Sequence, residues 1–235
     1  MVSTRLSKRQ RKSESADVPD ITDKEEEYHH AIQKIDIPLE LSRIRKPVFV
    51  GVPQKLFRVI YADPPWQYRS SNSLQGAAAN QYPTVSIEQL MQFPIDQIAD
   101  PECCALVMWV TAPQLEDALK LMNAWNFEYK TIFFTWVKTL PNGITPRMGL
   151  GHYTRSATEL CLIGIRGRVS ATLKHSSSVH QVIMAPLTRH SEKPLLAKQR
   201  IDEFFGANTE KIELFARCAP FTPRWTVWGN EAIDS

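Results

Sequence analysis

A chain of 235 residues with 43% hydrophobic content can bury a full core, and one domain behind a polar leader is the economical organisation. Its net charge of +3 and sequence pI near 8.6 are mildly basic, which admits a nucleic-acid partner without demanding one. Cys103, Cys104, Cys161 and Cys218 show no CxxC or His/Cys spacing, and no apolar run reaches spanning length, so a zinc site, a disulfide framework and a membrane span are not expected.

Residues 1–22 are polar, charged and poor in aromatics, which predicts a disordered tail. Its basic cluster, Lys8-Arg9-Gln10-Arg11-Lys12, is read as a nuclear-localisation signal, a nucleic-acid arm or simply a solvated tail. Residues 23–34 have the composition of a short charged helix, and 35–56 form an irregular lead-in with three prolines. The predicted division is therefore 1–34 as tail and helix, and 35–235 as one catalytic-sized domain.

The apolar run Phe57-Arg58-Val59-Ile60-Tyr61-Ala62 predicts a buried strand that stops at Asp63, because Pro64 and Pro65 cannot continue a ladder. Residues 67–81 form a long polar loop, of a length that compact domains reserve for function. Ser86 and Gln89 spell a capping box for a short helix to about Phe93. A second buried strand runs from Cys103 to Val110. Leu115, Leu119, Met122 and Trp125 predict a helix over 113–126 with that stripe as core. Further strands are expected at 129–138, 158–165, 182–185, 211–216 and 225–227, with a loop carrying Pro141-Asn142-Gly143 and Gly149-Leu150-Gly151 after the first of them and a polar, mobile loop at 167–178. Pro194 opens a helix that ends at Phe205, with Gly206 as its stop. Strands alternating with helices define the α/β class. No GxGxxG occurs, so a cofactor without a diphosphate fits best.

Asp63-Pro64-Pro65-Trp66 then stands at the carboxyl end of a strand, the edge where open α/β sheets bind ligands. The chemistry it suits is methylation of an adenine amine, a poor nucleophile because its lone pair is delocalised into the ring. Asp63 can accept the amine hydrogens, a Pro-Pro unit offers a rigid carbonyl, and Trp66 offers a flat apolar face for an unstacked base.

The stretch resembles the adenine-N6 methyltransferase family that includes the seventy-kilodalton catalytic subunit of the mRNA methyladenosine writer and bacterial, phage and protist DNA-modifying relatives. Ordered matches continue through Tyr82-Pro83-Thr84, Met108-Trp109-Val110-Thr111, Trp136-Val137-Lys138-Thr139, the strand around Glu159, Ser191-Glu192-Lys193-Pro194, Glu213-Leu214-Phe215-Ala216-Arg217 and Trp228-Gly229-Asn230-Glu231. The resemblance implies a single Rossmann-like S-adenosylmethionine-dependent methyltransferase domain, with a mostly parallel sheet and a permuted motif order. It implies that Asp63, Pro64, Pro65 and Trp66 are catalytic, and that Tyr82, Trp109, Trp136, Glu159 and Lys193 line the base pocket. For the two tryptophans, core packing is an equal alternative. Asp63, Lys193, Phe215, Arg217, Asn230 and Glu231 would hold the cofactor. No metal is implied.

Cys218-Ala219-Pro220 replaces a His-Asn pair that the RNA writer uses on its cofactor, and Glu231 stands where that branch carries Gln. Both departures point to the DNA-modifying branch. The expected activity is thus adenine-N6 methylation of DNA, with RNA methylation or a non-catalytic nucleic-acid scaffold as the alternatives. A homodimer or a related partner subunit is also expected. So is an intracellular location, the nucleus in a eukaryote and the cytoplasm in a bacterium or phage.

Overall fold

The computed structural model describes residues 56–67, 85–149, 151, 153–168, 173–188 and 192–229. The expected tail, charged helix and lead-in, the domain boundary after residue 34, most of the 67–81 loop and residues 169–172 of the 167–178 loop lie outside the described residues.

Seven strands form one sheet: β1 (Val59–Ala62), β2 (Cys103–Val110), β3 (Glu128–Thr139), β4 (Thr158–Gly167), β5 (Val182–Pro186), β6 (Lys211–Leu214) and β7 (Trp225–Trp228). Their order across the sheet is β5-β3-β4-β2-β1-β6-β7. Every pairing is parallel except those of β4, which runs antiparallel to both β2 and β3. The predicted mostly parallel α/β sheet is what the chain builds. Strands β1 and β2 are buried at every position, as central strands covered on both faces must be.

Among the described residues, three α-helices cover the two faces: α1 (Ile87–Met91), α2 (Leu115–Ala124) and α3 (Leu195–Phe205). The period of two along β1 sorts its side chains. Ile60 and Ala62 pack with Leu90 of α1 and with Ala118, Leu121 and Met122 of α2. Val59 and Tyr61 pack on the other face with Ala197, Ile201 and Phe205 of α3. The capping box of α1 is formed: the Ser86 hydroxyl accepts from Gln89 N–H at 3.3 Å, and Gln89 Oε1 accepts from Ser86 N–H at 3.1 Å.

Two expectations need correction. Leu119 is 37% exposed, and the buried stripe of α2 runs instead through Ala118, Leu121, Met122 and Trp125. At about 100° per residue the directions of Ala118, Leu121, Met122 and Trp125 centre between Ala118 and Trp125, and Leu119 lies about a third of a turn from that centre. The last long strand ends at Leu214, two residues early, because Phe215 adopts φ +62°, a left-handed conformation that breaks the ladder.

Candidate active site

At the carboxyl end of β1 the alternation carries on past the strand, so Asp63 falls on the same face as Val59 and Tyr61, the face that α3 covers. Pro194 is the N-cap of α3, which places Lys193 directly before that helix. A lysine there opposes the helix dipole and needs anionic partners. It has two: Lys193 Nζ donates to Asp63 Oδ2 at 2.7 Å and lies 3.4 Å from Glu159 Oε2.

Glu159 is the second residue of β4. Because β4 is antiparallel, its first residues come to the edge where the parallel strands end. There Glu159 pairs in register with Trp136, and Lys138, two residues further along β3, places Nζ 2.5 Å from Glu159 Oε1. The result is a row of four charges of alternating sign, Lys138, Glu159, Lys193 and Asp63. The inner two are nearly closed from solvent, with side chains 12% and 9% exposed, while the outer two reach it at 24% and 21%.

Burial opposes charge at Asp63, Glu159 and Lys193, and the partners decide which of these overcome it. Burial raises the pKa of Asp63 above its ordinary value, although Lys193 and Arg217 pull it back. Burial also works against the Lys193 ammonium, yet Asp63 and Glu159 outweigh it and hold the lysine charged above its ordinary pKa. Glu159, with burial against it but an ammonium on either side, lies below its ordinary value.

The tryptophans form the wall behind the row. Trp109 is fully buried, its Nε1 donates to the Tyr61 hydroxyl at 2.7 Å, and Lys193 Nζ lies 5.9 Å from its ring centroid. Trp136 meets Trp109 edge to face at 6.2 Å and donates through Nε1 to the Ala185 carbonyl at 3.0 Å. Both rings are packed in the core beside the charged groups. Trp66 is also folded inward, 7% exposed, with Nε1 donating to the Trp109 carbonyl at 3.2 Å. Of the two proline carbonyls, that of Pro65 accepts from Val85 N–H at 3.0 Å and that of Pro64 from Trp66 N–H at 2.8 Å. These bonds fix the turn and leave each oxygen a second lone pair.

On the other side of β1, the end of β6 supplies Phe215 and Arg217. Phe215, turned by its positive φ, packs against Phe93 and Trp228 on the α1–α2 face, while Arg217 acts electrostatically on Asp63. Gly229 follows β7. A Cβ there would stand 2.3 Å from the Ala216 carbonyl oxygen and 2.4 Å from its nitrogen, so only glycine lets the two strand ends approach. Tyr82, Asn230 and Glu231 lie outside the described residues. Sequence reasoning gave no role to Lys138 or Tyr61. The signal for Lys138 was a charge at period two from Trp136, near the end of an apolar strand.

Among the described residues no cluster of three or more His, Cys, Asp or Glu is placed to hold a metal, and no helix is long and apolar enough to cross a membrane. Cys103, Cys104 and Cys161 are buried, Cys218 is exposed, and none of the four is in a disulfide.

A mostly parallel sheet with a charged, proline-fixed turn at the carboxyl end of an inner strand is the architecture of a Rossmann-like enzyme that binds its ligand at that edge. The chain belongs to the MT-A70 family, whose model matches residues 57–231. It is 35% identical over 205 residues to the Type II methyltransferase M.MunI of a Mycoplasma species, covering 80% of this chain and 83% of that one. It is 31% identical over 190 residues to the human N(6)-adenine-specific methyltransferase METTL4, and 29% over 182 residues to the human N(6)-adenosine-methyltransferase catalytic subunit METTL3. Those matches take in 77% and 74% of this chain but span only 38% and 28% of the two human proteins.

Proposed function

We propose that this protein methylates N6 of adenine in DNA, with S-adenosylmethionine as methyl donor and a flipped or single-stranded base as substrate. The single observation that carries the reading is Asp63, a desolvated carboxylate fixed by Lys193 at 2.7 Å and standing beside two proline carbonyls at the ligand-binding edge. Membership of the MT-A70 family and the likeness to a Type II methyltransferase over most of both chains support it.

The residues present fit such a cofactor. Asp63 and Lys193 bring opposite charges to one edge and match the amino and carboxylate ends of an amino-acid group. Phe215 and Arg217 follow β6 and Gly229 follows β7 at the same edge, and Phe215, Arg217, Asn230 and Glu231 would hold the rest. When bound, the cofactor supplies an electrophilic sulfonium methyl group.

The chain's part is positioning and proton acceptance. Asp63 accepts one hydrogen of the amine and Pro64 offers a carbonyl for the second, which turns the nitrogen lone pair out of conjugation with the ring. Lys193 holds the Asp63 carboxylate in one orientation and stabilises its charge. Trp66, Trp109 and Trp136 keep water from beneath the row, and Tyr82 would line the base pocket.

DNA as substrate is supported by the Cys218-Ala219-Pro220 departure and by Glu231, and RNA is the competing substrate. A homodimer or a related partner is supported by Met148 and Tyr153 between β3 and β4, large side chains that are 78% and 98% exposed. Sedimentation analysis reads that directly. The functional test is labelled-methyl transfer to single-stranded DNA, duplex DNA and RNA, with nucleoside mass spectrometry of each product and D63A as control. N6-methyladenine in DNA, lost in the variant, is the expected result. Product in RNA alone moves the assignment to RNA, and cofactor binding with no product on any substrate, with or without a partner, overturns the enzyme reading.

A further inference from the structure

Lys138 closes the row of charges at the end opposite Asp63. Its Nζ lies 2.5 Å from Glu159 Oε1 and 5.2 Å from the centroid of the Trp136 ring. Its backbone is held from both sides of the following hairpin: the N–H donates to the Ala157 carbonyl and the carbonyl accepts from Arg147 N–H, each at 2.7 Å. The four members come from β3, β4, the segment before α3 and the end of β1, and their formal charges sum to zero.

We infer that Lys138 is a positioning residue for methyl transfer: by satisfying Glu159 it leaves the Lys193 ammonium to Asp63 and so keeps the Asp63 carboxylate ionised. The inference rests on the reading of Asp63 as acceptor of the amine hydrogens. Without Lys138, two carboxylates share one ammonium in a place where burial penalises net charge. Two reliefs are open. Either Lys193 moves from Asp63 toward Glu159, already 3.4 Å away, or a carboxyl takes up a proton. Both weaken Asp63 as an acceptor. Among the described residues, the other titratable groups that act on Asp63 or feel its charge are Arg217 beyond β6, Glu213 on β6, Tyr61 on β1 and Cys161 on β4. Burial pushes the tyrosine and the cysteine up, so both are neutral over the range in question.

The test compares wild type with K138M, K138Q, K138R and the double variant K138M/E159Q between about pH 5 and pH 9. Two readouts are taken: kcat/KM for methyl transfer, and the 13C titration of the Asp63 carboxyl in the protein alone. In K138M the acid limb of kcat/KM should rise by about half a unit or more, with the Asp63 titration moving alike. K138Q should do the same, and it stands in should K138M fail to fold. K138R should restore the wild-type limb. The double variant again sums to zero, and its limb should return even if kcat does not. A kcat lowered equally at every pH, with the Asp63 titration unmoved, would overturn the inference and make Lys138 a packing residue. A wild type that transfers no methyl, with an Asp63 titration that still moves in K138M, would uphold the charge coupling and sink the enzyme reading instead.

Discussion

Replacing Lys193 by Met removes the central cation of the row while keeping its apolar stem. The lysine side chain is 9% exposed, and its partners Asp63 and Glu159 are 21% and 12% exposed, so solvent screens the loss only slightly. Breaking a buried pair by deleting one partner costs about 3–5 kcal/mol. Glu159 keeps Lys138 at 2.5 Å and Arg217 still acts on Asp63, which places the expected loss near the lower end, about 3 kcal/mol.

The pH dependence of that loss follows from the directions of the shifts. Lys193 is raised, so its contribution is complete below the ordinary lysine pKa and is lost as pH climbs through the raised value. Glu159 is lowered, so its contribution is present above the ordinary glutamate pKa and is lost as pH falls through the depressed value. Asp63, raised by burial, works the other way, and in the variant it takes up a proton more readily still. The gap between wild type and K193M should therefore be widest from about pH 5 to pH 10 and close on either side. Urea unfolding at a series of pH values measures it. A difference below about 1 kcal/mol at neutral pH, or one that stays constant from pH 4 to pH 9, would refute the reasoning.

Asp63→Asn keeps the size of the side chain but turns an acceptor-only group into one that also donates. Methyl transfer should fall about 10²–10⁴-fold with the folded structure retained, as labelled transfer and circular dichroism would show. Gly229→Ala would drive a Cβ to within 2.3 Å of the Ala216 carbonyl oxygen, so the two strand ends must part. A stability loss of about 1–3 kcal/mol and weaker cofactor binding by calorimetry are expected, and unchanged binding would remove this edge from the cofactor site. Lys211 is fully buried, donates to the Gly206 and Thr209 carbonyls at 2.8 Å each, and lies 2.9 Å from Asp202. Lys211→Met should cost about 3–5 kcal/mol in denaturant unfolding while leaving methyl transfer per folded molecule intact.

Much of this was legible in the residues. The buried strand ending in Asp63, the capping box at Ser86 and Gln89, and the stop at Gly206 are local signals, and each sits where its pattern put it. What local pattern could not give was direction. Nothing in Thr158–Gly167 says that this strand runs against its neighbours, and on that orientation depends the placement of Glu159. In an all-parallel sheet the second residue of the strand would lie at the far edge, away from Asp63. Glu159 therefore stood out only as a carboxylate in want of a partner, and Lys138 not at all. The end of β6 was misjudged for a related reason: Phe215 has good strand propensity, and only the tertiary packing against Phe93 and Trp228 fixes its left-handed turn.

The orientation of β4 also resolves a conflict within the chemistry. An acceptor for amine hydrogens works best as a carboxylate in a dry site, and drying the site is what drives the carboxylate to protonate. One lysine beside Asp63 would relieve that, but a lone ammonium between β1 and α3 would itself be desolvated and pinned to a helix N-terminus whose dipole repels it. Glu159 removes that difficulty for Lys193, and Lys138 removes it for Glu159. Each added member neutralises the charge before it and lies nearer the solvent at the far end, so the row ends where water can solvate its last cation. An antiparallel strand inside a parallel sheet is what makes this possible, since it alone brings a strand beginning and a strand ending to the same edge.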